Sequence, residues 1–155
     1  MNFAKKMTAT ALCLGITASG GAVAAQDAEA AIKARQGQFR ILALNLGVLG
    51  GMAKGEIEYD QEMAQYAADN LADVASINQS FNWPEGSDNM SAENTRALPA
   101  IWENVPDVMS KWDDLGAAVA EMQTAAAEGP EAIGPALQKV GGTCKACHDD
   151  YRESD

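Results

Sequence analysis

The sequence predicts an all-α fold, an antiparallel up-down-up-down four-helix bundle, on three observations. Beyond its first 25 residues the chain is rich in Ala, Leu, Glu, Gln and Met and has no convincing alternating strand segment. Its apolar residues recur at three- and four-residue spacing in four separate windows, which places them on one face of a helix in each window. Breaks carrying Gly and Pro separate the windows, against one long rod.

The first window runs Ile32, Arg35, Phe39, Leu42, Leu46, Leu49 and ends near Gly50 and Gly51. The second runs Met63, Ala67, Asn70, Val74, Ile77, Phe81 and stops before Trp83 and Pro84. The third runs Ile101, Val105, Val108, Trp112, Leu115, Val119, Met122 and stops at Gly129. The fourth runs Ile133, Leu137, Val140, Cys144, Cys147, Tyr151. Each stripe repeats about every 3.5 residues, the spacing of knobs-into-holes packing between nearly parallel helices. Isolated helices of this length are marginal in water, so mutual burial must hold them. Connections are expected at 55–59, 82–98 and 129–130. Pro106 lacks a backbone donor, so the third helix either starts near Val105 or kinks there, after a short turn opened by Pro99. The segment 82–98 reads as a long polar loop with no chemistry assigned to it.

The first 25 residues read as a secretory signal: Lys5 and Lys6, an apolar core from Met7 to Ile16, then Ala22-Val23-Ala24-Ala25 as a cleavage region. Cleavage after Ala25 or after Ala24 leaves a mature chain of one domain, 26–155. The apolar core is too short to span a membrane. Nine basic residues then stand against 22 acidic ones, a formal charge of −13. That surface excludes nucleic acid and anionic membranes as partners and favours basic proteins.

Chemistry concentrates in Cys144-Lys145-Ala146-Cys147-His148, a C-x-x-C-H run and the attachment signature of a c-type haem. Each thiol forms a thioether with one porphyrin vinyl, and the following histidine becomes an axial iron ligand. A zinc site would need a second pair of ligands, but the chain has one histidine and no second C-x-x-C. A redox dithiol would want a preceding strand, and a helix-like stretch precedes this run. At i, i+3 and i+4 of the fourth helix, Cys144, Cys147 and His148 share the core-facing side, so one haem c per chain belongs inside the bundle, near one end. Covalent haem attachment and an export signal both point to the periplasm. Gly141 and Gly142, just before the run, suit close approach by porphyrin or a neighbouring helix, or are ordinary helix weakness.

The signal, the four amphipathic helices and the tail G-x-x-C-K-A-C-H-D-x-Y-R over 141–152 resemble the cytochromes c prime, the class II c-type cytochromes. Lys33, Arg35, Gln36 and Phe39 carry a weaker second match. The resemblance implies His148 as the one protein ligand, a vacant distal face beneath an apolar side chain of the first helix, here Phe39, and a propionate partner for Arg35. It also implies a basic residue close to the proximal ligand, here Arg152, and antiparallel homodimers through the first two helices. Plain core packing coexists with the Phe39 role. A snorkelling surface arginine is the alternative for Arg35, and an ion pair with Asp149 the alternative for Arg152.

Subtraction supports a five-coordinate, high-spin iron. No second histidine exists, and none of Met52, Met63, Met90, Met109 and Met122 lies between Asp27 and Gly51, where low-spin relatives place a ligating methionine. The expected function is therefore binding of NO or CO at the vacant face, with capacity for electron transfer to a basic redox partner. The alternative is a low-spin, Met-ligated class II cytochrome acting purely as a carrier. An enzyme such as a peroxidase would need a distal acid–base group, and the lone histidine is already committed.

Overall fold

The computed structural model describes residues 20–154, with side chains from Ala28 onward; the expected signal, 1–25, lies almost entirely outside the described residues. α1 (Gly20–Ala53), α2 (Gln61–Ala75), a short α3 (Ala100–Glu103), α4 (Val105–Glu128) and α5 (Pro130–Tyr151) follow in order. The long helices pack in a closed ring, α1 on α2, α2 on α4, α4 on α5 and α5 back on α1. This is the expected up-down-up-down bundle.

Local chemistry sets the boundaries. Gly55 takes φ +72° in the first turn, and the Ile57 N–H donates to Gly51 O. A Cβ on Gly51 would meet Ile57 Cδ1 at 2.6 Å, so glycine there lets the turn fold back on α1. The Asp60 carboxylate caps α2, accepting from the Met63 N–H at 2.7 Å. α4 begins at Val105 with Pro106 in its first turn, where the missing N–H breaks no helical bond, so the helix starts rather than kinks at this proline. Gly129, at φ +123°, turns α4 into α5, which opens on Pro130.

The main core gathers Leu42, Leu49 and Met52 with Leu71, Val119, Met122, Ile133 and Val140, largely or wholly buried. Five stripe positions differ from expectation. The buried face of α2 is Ala64, Ala67, Ala68, Leu71 and Val74, leaving Met63 and Asn70 exposed. α2 ends at Ala75, so Ile77 and Phe81 fall outside it and are exposed, Phe81 in a 3-10 turn (Gln79–Phe81). Val105 is exposed as well. Small alanines, not the larger apolar residues, allow the close approach of α2, and a count of large side chains misses that face.

A second, smaller cluster sits at the other end: Ile101, Val108 and Tyr151 buried, with Trp83, Trp102, Met109 and Cys147 against them. The loop 82–98 closes this end and is pinned from several sides. Ser87 and Asp88 are buried in it, and Asn89 N donates to Ala97 O at 2.8 Å. Leu98 N donates to Tyr151 O and Glu153 N to Arg96 O, framing an antiparallel bridge between Ala97 and Arg152.

Candidate functional site

The last turns of α5 bring Cys144, Cys147 and His148 to the junction of the two clusters, Cys144 against the main core and Cys147 against the smaller one. Both thiols are half-buried and free. Burial is the first cause that raises the pKa of each as a thiol. His148 is solvent-accessible, yet surrounding side chains desolvate its ring enough to lower its pKa, and the charges of Arg152 and Arg96 push the same way. A neutral imidazole is the form that binds a metal.

Phe39 on α1 faces His148, with ring centroids 6.3 Å apart and an interplanar angle of 71°. Its other neighbour is Trp112, at 6.2 Å and 74°, whose indole Nε1 donates to Ala75 O at 2.8 Å. Phe39 is 38 % exposed, so it packs less completely than the rest of its stripe.

Arg35, one turn earlier on α1, is 4 % exposed. It is not the snorkelling surface arginine that was the alternative. Its Nη1 donates to Asn82 O and Ser87 Oγ, and its Nη2 to Ser87 O and Thr95 Oγ1. The guanidinium also lies over the Trp83 ring, 4.4 Å from its centroid. Burial pulls its pKa down to about 10, which still leaves it fully charged at neutral pH. Arg152 follows the last turn of α5 with an exposed side chain, and Asp149, its alternative partner, accepts from Lys145 at 2.8 and 2.5 Å. A Cβ on Gly141 or Gly142 would meet nothing within 4 Å, so no neighbouring helix approaches there.

The stripes did not reveal the aromatic and polar lining of this end. All three tryptophans fall between positions 83 and 112, and that uneven distribution was the available signal. Beside Cys147, Tyr151 Oη donates to Asp107 at 2.7 Å, and Lys111 bridges Asp107 at 3.6 Å and Asp150 at 3.2 Å.

A family model for cytochrome c′ matches residues 30–152. The chain belongs to the cytochrome c′ family. Cytochrome c-554 of Cereibacter sphaeroides is 41% identical over 131 residues, covering 84% of this chain and 98% of the relative. A cytochrome c′ of the same species is 38% identical, over 84% of this chain and 88% of the relative. Among solved structures, a cytochrome c′ from Rhodobacter spheriodes superposes with a TM-score of 0.78 at 37% identity, over 83% of this chain and 98% of that one. Cytochromes c prime from Alcaligenes xylosoxidans have been solved with bound NO and with bound carbon monoxide, at 25% and 26% identity.

Its cofactor is haem c, covalently attached, as in the family. The residues present fit that group. Two thiols and an imidazole converge at one end of the bundle, an apolar ring faces the imidazole, and a buried indole donor, Trp83 Nε1, has no protein partner among the described residues.

Proposed function

We propose that this cytochrome c′ is a periplasmic, exported protein, mature from about Gln26, that binds NO or CO at a vacant distal face of a high-spin, five-coordinate haem. Ferrous haem supplies affinity for those diatomics and a one-electron couple. In this reading Cys144 and Cys147 carry the thioethers and the neutral imidazole of His148 is the proximal ligand. Phe39 shields the distal side without donating a ligand, so a small apolar gas enters by displacing a ring. Dioxygen gains little, because Phe39 offers it no hydrogen bond. Arg35 supplies positive charge toward a propionate, and Arg152 stands by the proximal histidine. Sequestration of NO, with electron transfer to a basic partner protein as a second capacity, is the role; the lone histidine, committed as iron ligand, is not left for the acid–base step an enzyme would need.

The observation that carries this reading is Phe39 facing His148 where a low-spin carrier needs a sixth donor. Relatives solved with NO and CO support it. Exposed Ile41 and Leu44 on α1, with Met63 and Tyr66 on α2, support a homodimer through these two helices, and a relative at 28% identity is described by its ligand-controlled dimer dissociation.

The reduced protein is expected to show a broad Soret band without sharp α and β bands; sharp ones would mean a sixth protein ligand and the pure carrier. Phe39→Ala is expected to accelerate CO binding by about tenfold or more, which is about 1.4 kcal/mol off the barrier. An unchanged rate would mean that another side chain guards the iron.

A further inference from the structure

Among the described residues, two buried side-chain polar atoms lack a hydrogen-bond partner, Trp83 Nε1 and Asn89 Oδ1, and both belong to the loop 82–98. An orphaned buried donor costs about 1–3 kcal/mol, and most such groups in native proteins have a partner. Trp83 is held in place from three directions. Its carbonyl accepts from Trp102 Nε1 at 3.0 Å, its ring meets the Trp102 ring at 6.3 Å, and the Arg35 guanidinium covers its face at 4.4 Å. Its partner must therefore come to the indole.

Charge says what that partner is. Arg35 is a buried cation, and its hydrogen-bond acceptors are two carbonyl and two hydroxyl oxygens, with no carboxylate among them. A buried charge without a counterion is costly, so an anion beside it is favoured. Arg35 stands one helical turn from Phe39, which faces His148, so this charge borders the haem site. Haem c brings two carboxylates on the edge opposite its vinyl groups. We propose that the Trp83 indole N–H donates to a haem propionate, so that Trp83 and Arg35 together form an anion seat tying the loop 82–98 to the cofactor.

This inference rests on the haem c that family membership assigns, and a missing Soret absorbance would report that failure separately. Trp83→Phe keeps an aromatic ring under Arg35 and removes only the donor. A hydrogen bond to the ionised propionate lowers its pKa, so its loss raises it. The potential-versus-pH profile of the holoprotein should show the propionate step moved upward by about one unit, a tenfold change in proton affinity. In the wild-type ferrous CO complex, the Trp83 indole N–H, assigned by ¹⁵N labelling and its disappearance in Trp83→Phe, should exchange slowly with solvent. An unchanged profile overturns the proposal. Fast exchange of the indole proton overturns it as well.

Discussion

The two ends of this bundle are held by different physics. The end built around Leu49, Leu71, Val119 and Met122 is apolar side chain on apolar side chain, each fully buried. At the haem end, one arginine makes four hydrogen bonds to a loop, indoles donate to backbone carbonyls, and a tyrosine donates to a carboxylate. Burial is non-directional and tolerates repacking, whereas hydrogen bonds demand a geometry. The first end therefore supplies stability, and the second supplies the precise placement an iron site needs.

That division can be broken by mutation. The largest effect belongs to the double change Cys144→Ala with Cys147→Ala, which should leave an exported polypeptide carrying no covalent porphyrin by mass spectrometry. Leu71→Ala at the other end should lower stability by about 2–5 kcal/mol in denaturant unfolding, while the reduced spectrum stays unchanged. A shifted spectrum would show that the ends are not separable.

Arg35→Met probes the haem end. Removing the guanidinium leaves Ser87 and the Asn82 carbonyl without their donor, a loss of about 2–3 kcal/mol, and amide exchange should quicken across 82–98 before it does in α2 or α4. Uniform quickening would mean that the loop is no separate unit.

The smallest effect is a pH dependence within the bundle. Asp69 accepts from Gln123 at 2.8 Å and Gln65 at 2.9 Å, and those bonds, Gln123 first, hold its carboxyl below the usual range. A depressed carboxylate stabilises the fold above its unfolded pKa, near 4, and that contribution is lost as pH falls through the lower folded value. Asp69→Asn should cost less than about 1 kcal/mol at pH 7, and the gap to wild type in melting temperature should close as pH falls through the lowered folded value. A gap that persists there would place the effect in packing.

The same contrast explains what was legible beforehand. Period and turn residues revealed the helix order and the glycine breaks, because apolar burial writes itself as a repeat, but left a start or a kink near Val105 equally open. The C-x-x-C-H run is legible because covalent attachment demands fixed spacing. Periodicity misplaced the packed face of α2, where alanines that carry little signal do the packing. It also passed over 82–98, where Ser87 looks solvated in sequence yet is buried as a partner of Arg35. Long-range hydrogen bonds such as Arg35 to Ser87, 52 positions apart, leave no local pattern to read.

The antiparallel bridge between Ala97 and Arg152 has a practical corollary. A final helix ordinarily unravels over its last turn, and that turn here contains His148. With Tyr151 and Glu153 stitched to the far side of the loop, the splint lies outside the helix it protects. Anyone shortening that loop should expect the imidazole to lose its aim while the rest of the molecule still looks intact.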